Sequence, residues 1–140
     1  MDLRIQQDCL NIDWNIVSET LKKVGMAYFL AETHKKAFEN SHTTIFVFDN
    51  DKLVGFGRAI SDDAYQAAIY DVAVLPDYQG MGIGKMIVDR ITECIPECNI
   101  ILYAAPGKES FYEKLKFRKM KTGMALFREA EKMRQRAFTD

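Results

Sequence analysis

Apolar and polar residues alternate over Leu3-Arg4-Ile5-Gln6-Gln7, which predicts a first strand. Ile16, Val17, Thr20, Leu21 and Val24 then recur at helical spacing, after Asp13 and before Gly25. Asp13 and Ser18 suit caps or surface positions of that helix. A second helix is predicted from Ala31 to Phe38, ending near Asn40. Thr43-Thr44-Ile45-Phe46-Val47-Phe48 is β-branched and aromatic, a strand pattern. Asp49-Asn50-Asp51 turns the chain into a second strand, Lys52 to Ile60. Gly55 and Gly57 inside it predict a bulge or the close approach of another backbone or ligand. After the turn Ser61-Asp62-Asp63, the run Ala67 to Val74 predicts a central strand that ends at Pro76. Ile83, Met86, Ile87 and Ile91 mark an amphipathic helix from Gly82 to about Ile95, stopped by Pro96. Ile100 to Ala104 is nearly all apolar, as a strand covered on both faces would be. Past Pro106-Gly107, a short helix is predicted from Glu109 to Leu115, then strands from Phe117 onward and over Met124 to Phe127. The charged tail from Glu129 predicts a helical or frayed end.

This order predicts a mixed α/β domain with a right-handed parallel β-α-β crossover over Ala67 to Ala104. The 140 residues fit one domain, 1–140, long enough to bury a core. The net charge of −1 argues against a chain whose main task is gripping nucleic acid. Cys9, Cys94 and Cys98 form no C-x-x-C pair, and His34 and His42 lie far from them in sequence, so no metal site is expected. No apolar run reaches the roughly 18 residues of a membrane span, and no signal peptide is visible. A cytoplasmic protein with reduced thiols is the expectation.

The candidate chemistry lies between the central strand and the following helix. Gly80, Gly82 and Gly84 strip side chains from a short turn, which can bring bare N–H groups to a phosphate or pyrophosphate at a helix N-terminus. Three glycine signatures compete. The G-x-x-x-x-G-K-[ST] loop lacks its leading glycine, where Gln79 stands, and its hydroxyl, where Met86 stands. The G-x-G-x-x-G fingerprint finds its third glycine one residue early, and no acidic residue closes a suitable second strand. The pattern [QR]-x-x-G-x-[GA] is matched at every fixed position by Gln79-Gly80-Met81-Gly82-Ile83-Gly84.

With that loop, the preceding Val72-Ala73-Val74-Leu75-Pro76 and the downstream Phe111-Tyr112-Glu113-Lys114-Leu115-Lys116-Phe117, the chain resembles the GCN5-related N-acetyltransferase (GNAT) superfamily. The resemblance covers essentially the whole chain. It implies an α/β fold with a mixed, mostly antiparallel twisted sheet around the central parallel crossover and helices on both faces. It implies acetyl-coenzyme A as cosubstrate and direct acetyl transfer to the primary amine of a small molecule, with no covalent enzyme intermediate. By position matching, the Val72 N–H would hold the acetyl carbonyl oxygen and Val74 the pantetheine arm. Gln79, Gly80, Met81, Gly82, Ile83 and Gly84, with Lys85 behind them, would hold the pyrophosphate. Lys85 reads equally as an exposed helix lysine.

The resemblance assigns Tyr112 to protonating the departing thiolate, against a packing role beside Phe111 and Phe117. Many relatives carry a Glu or His as base where this chain has Tyr70 and Ala68. Asp71 is then the one ionisable group adjacent on the strand. Strict alternation points it away from the face of Tyr70 and Val72 unless a bulge re-aims it. A structural Asp71, or a water chain for the proton, are the alternatives. Two positions depart from the family: Lys116 replaces the usual glycine, which predicts a different turn there, and Ala105 replaces a cofactor-contacting Asn.

The acceptor pocket is expected beside the first two helices, the end of the Phe56–Ser61 strand and the turn at 62–65. Asp62, Asp63 and Asp71 could attract a cationic amine there, with Tyr65, Tyr70 and Phe56 packing its apolar part; Asp62 and Asp63 read equally as a solvated acidic turn. A non-catalytic acyl-coenzyme A sensor and a peptide or protein acetyltransferase are the rival readings. A strand-rich C-terminus is compatible with a homodimer.

Overall fold

The structure is a computed structural model that describes all 140 residues. The chain forms two compact units, 1–102 and 103–140.

In the first unit, strands β1 (Leu3–Gln6), β2 (Thr43–Asp49), β3 (Lys52–Ser61), β4 (Gln66–Val74) and β5 (Asn99–Ile101) form one sheet in chain order. All neighbours are antiparallel except β4 and β5. Helices α1 (Trp14–Lys23) and α2 (Ala31–Glu39) join β1 to β2, and α3 (Ile83–Cys94) makes the crossover from β4 to β5. This is the α/β fold expected, with a mixed sheet and a central parallel crossover.

Alternation along the strands decides which helix each face receives. Phe46 pairs with Phe56, and both are buried with Val17, Leu21 and Phe38. The Phe38 ring stands 5.5 Å from Trp14, 5.5 Å from Phe46 and 5.9 Å from Phe56, with tilted and edge-on contacts. This aromatic cluster fastens α1 and α2 to one face. Asp13 starts α1 by accepting the Asn15 N–H at 3.0 Å. Ser18 is more than a surface position: its hydroxyl donates to the Phe29 carbonyl at 2.6 Å.

The opposite face opposes Ile45 to Gly57 and Val47 to Gly55, and α3 lies against those glycines. A Cβ on Gly57 would stand 2.8 Å from Ile87 Cγ2, 3.1 Å from Val72 Cγ2 and 3.3 Å from Ile91 Cδ1. The close approach anticipated at Gly57 is therefore that of a helix. Ile87 and Ile91 are β-branched, fully buried and unable to swing aside cheaply. Gly57→Ala should destabilise the protein by about 1–3 kcal/mol, the usual cost of overpacking. Urea unfolding of the variant against the wild type measures it.

The second unit contains helices α4 (Glu109–Lys114) and α5 (Ala130–Gln135). The strands predicted from Phe117 and over Met124–Phe127 do not form. Between 117 and 127 only Thr122 is β-branched, while Arg118, Lys119 and Lys121 crowd one stretch with charge. Met124 and Leu126 are almost fully exposed, and Phe127 packs its ring on Tyr103 and Phe138 instead. The last sheet strand is also shorter than predicted, ending at Ile101 rather than Ala104.

Candidate active site

The register of β3 against β4 breaks where the sequence places its chemistry. Phe56 pairs with Ala73 and Arg58 with Tyr70, so Gly57 alone faces both Asp71 and Val72. This is a β-bulge, and Asp71 adopts its left-handed conformation with φ 58°. Asp tolerates that region better than most residues do. Strict alternation no longer applies. Arg58 Nε donates to Asp71 Oδ2 at 2.7 Å, and the same guanidinium lies 5.3 Å from the Tyr70 ring centroid and 5.7 Å from that of Phe38. Asp71 and Tyr70 thus share one cation on the α2 side. The Val72 side chain turns toward α3.

β4 has already parted from its parallel neighbour before the bulge. The β4–β5 ladder runs from Gln66–Asn99 to Ala68–Ile101 and stops, well short of Val74. Leu75 N–H bonds the Val54 carbonyl at 2.8 Å, and a 3-10 turn, Pro76–Tyr78, leads into the glycine loop.

Gly80 and Gly82 adopt φ 80° and 82°. Gly82 is the N-cap of α3 and offers no side chain to its first N–H groups, and the first turn holds no acidic residue. Those donors, with the positive end of the helix dipole, suit an anion. A Cβ on Gly80 or Gly82 would meet nothing within 4 Å. Backbone conformation, rather than packing, therefore calls for glycine. Ile83 anchors the turn in the core while Met81 is exposed. Gln79 Nε2 donates to the Val74 carbonyl at 2.9 Å, tying the loop to the end of β4. Lys85 forms an exposed ion pair with Asp89 one turn along α3.

The structure thus brings Asp71, Val72, Val74 and residues 79–85 together at the end of β4 and the start of α3. Tyr112 belongs to the second unit, in α4. Its ring sits edge-on to Phe111 at 4.9 Å and to Phe117 at 5.8 Å. Burial raises its phenol above the ordinary tyrosine value. Lys116 has φ 76°, and the Phe117 N–H reaches back to the Tyr112 carbonyl at 3.1 Å. The turn is the left-handed helix stop that glycine normally makes, so Lys116 keeps the geometry at a backbone cost. A different turn, expected from the lysine, is not what forms.

At the turn after β3, Asp62 Oδ1 accepts the N–H groups of Ala64, Tyr65 and Gln66 at 2.8, 2.9 and 3.0 Å. These bonds hold its carboxyl below the usual range. Asp63 faces His42 Nε2 at 3.2 Å.

Residues 40–119 match the family described as the acetyltransferase (GNAT) domain. The chain belongs to the GNAT acetyltransferases. It is 36% identical over 127 residues to an uncharacterised N-acetyltransferase, ycf52, of Pyropia yezoensis, a match that covers 86% of this chain and 66% of that protein. It is 28% identical over 121 residues to serotonin N-acetyltransferase 2, chloroplastic, of Oryza sativa subsp. japonica, covering 81% of this chain and 60% of that protein. The chain therefore spans less than two thirds of the length of these relatives. A solved Staphylococcus aureus protein, described as a probable acetyltransferase, superposes with a TM-score of 0.80 at 26% identity, over 89% of this chain and 98% of that one. In this GNAT domain no helix is long and apolar enough to cross a membrane.

Sequence reasoning assigned no role to Arg58 or His34. Arg58 carried a legible signal, being a cation inside an otherwise apolar strand next to the one carboxylate of the central strand. His34 carried none, because its partner is a backbone N–H.

Proposed function

We propose that this GNAT acetyltransferase moves the acetyl group of acetyl-coenzyme A directly to the primary amine of a small molecule. The observation that carries the reading is the bulge at Asp71–Val72 with the parting of β4 from β5, directly upstream of the side-chain-free start of α3. Strand backbone without a neighbouring strand suits an extended amide arm, which pairs as an added strand would. The pyrophosphate of the cofactor fits the Gly80–Gly84 turn, with Lys85 close by. The Val72 N–H would stabilise the oxyanion that develops as the amine nitrogen attacks the thioester carbon.

In the tetrahedral intermediate the new C–N bond has formed and the C–S bond has yet to break. Collapse expels the coenzyme A thiolate, and Tyr112 gives it a proton. A phenol is protonated at neutral pH, and burial raises this one further. Asp71, aimed by the bulge and steadied by Arg58, receives the proton lost by the amine, directly or through water. The likeness to a rice protein named for serotonin supports an acceptor with an aryl or alkyl part.

Release of free thiol from acetyl-coenzyme A in the presence of a panel of small amines tests the reading. Amine-dependent thiol release with formation of the N-acetyl product is expected. Cofactor binding without turnover on any amine would overturn it in favour of a sensor, and turnover on peptides alone would overturn the small-molecule acceptor.

A further inference from the structure

The segment between α1 and α2 exposes three consecutive apolar residues, Tyr28, Phe29 and Leu30, the last at 82%. Exposed apolar residues on a connection ordinarily leave it loose, yet this one is clamped at a single residue. The Phe29 N–H donates to His34 Nε2 at 2.9 Å, and the Phe29 carbonyl accepts from Ser18 Oγ at 2.6 Å. The Phe29 ring also stands 5.7 Å from the imidazole.

His34 is buried, with 3% of its surface exposed. It lies one turn before Phe38 on the inner face of α2, the face that meets Arg58 and, through it, Asp71. The clamp therefore joins an apolar turn to the helix face that borders the bulge.

We infer that His34 is a positioning residue: its neutral ring latches the Tyr28-Phe29-Leu30 turn beside the Asp71 bulge, where the turn receives the apolar tail of the acceptor amine. The inference rests on the proposed acetyl transfer for its acceptor and on geometry alone for the latch.

Only an unprotonated Nε2 can accept the Phe29 N–H, so protonation must break the latch. Burial pushes the imidazole below its ordinary range, Asp71 of β4 pulls it up, and Arg58 of β3 pushes it down. The sign follows. With the turn released the ring gains water and takes a proton at a higher pH than in the latched state. Falling pH below about 6.5, the ordinary histidine value, therefore favours the released turn.

The test is amide hydrogen exchange at Phe29, expressed as protection relative to an unstructured chain, together with KM for an apolar amine and for a small polar amine of equal basicity. In the wild type, Phe29 protection should fall as pH drops from 7.5 to about 5.5, and the ratio of KM for the apolar amine to KM for the polar amine, in which their shared protonation cancels, should rise about tenfold, a change that corresponds to the loss of about one hydrogen bond. His34→Gln keeps an acceptor oxygen and cannot titrate. It should hold Phe29 protected and that KM ratio flat across that range. Ser18→Ala should loosen the turn equally at every pH. Equal Phe29 protection in His34→Ala and wild type would overturn the latch. So would a pH dependence of Phe29 protection or of the KM ratio that persists in His34→Gln. If no amine is turned over, the acetyl-transfer reading fails, and the exchange of Phe29 still decides the latch.

Discussion

Gly82→Leu should weaken acetyl-coenzyme A binding by at least about 100-fold while the protein still folds. Position 82 is left-handed, so any L side chain there costs about 1–2 kcal/mol of backbone strain. Nothing in the protein would collide with the first carbon of that side chain, so folding loses little more. Binding loses much more. The new side chain would occupy the space in front of the first N–H groups of α3. Two charge-assisted hydrogen bonds to phosphate, at about 1.5–3 kcal/mol each, then go unmade. At 1.4 kcal/mol per tenfold, that amounts to at least two decades in Kd. Calorimetric titration with acetyl-coenzyme A measures the loss, and circular dichroism reports the fold. A variant that binds normally would remove the glycine loop from the site.

Tyr112→Phe should lower kcat by about 100- to 10,000-fold, the range that general acid catalysis contributes, and leave the Kd for acetyl-coenzyme A unchanged. Phenylalanine keeps the edge-on contacts with Phe111 and Phe117, so α4 retains its packing. Only the proton donor is lost. In the wild type the rate should fall at alkaline pH, as the phenol loses its proton. Because burial raises the phenol, that fall belongs above the ordinary tyrosine value of about 10. Steady-state kinetics from pH 7 to 11 on both proteins separates the two roles. An unchanged kcat in the phenylalanine variant would leave Tyr112 with packing alone.

Much of the fold was legible because alternation and helical spacing report burial, and burial decided β2 to β4 and α1 to α3. The glycine turn was legible because its backbone needs are written as residue types. Gly82 takes a conformation that side chains resist, and Gly57 leaves room that Ile87 and Ile91 fill. The bulge was legible only as an option. Its register is set by how β3 and β4 pair, and nothing in Tyr70-Asp71-Val72 alone counts the residues opposite. Arg58 settles where Asp71 points, and that is a tertiary contact.

The region after Phe117 was misread for a related reason. Apolar residues at 124–127 suggested a strand, but a strand exists only with a partner for its N–H and C=O groups, and Met, Ala and Leu lack the β-branching that favours one. The clamp on Phe29 left no trace in the residue pattern, since it joins two side chains to the main chain of one residue.

The most direct test of the acetyl-coenzyme A site is a titration of 15N-labelled protein with acetyl-coenzyme A, following the backbone amides. The amides of Val72, Val74, Gly80, Gly82 and Ile83 should shift together and saturate at one Kd. Saturable binding that leaves those amides unmoved would contradict the site.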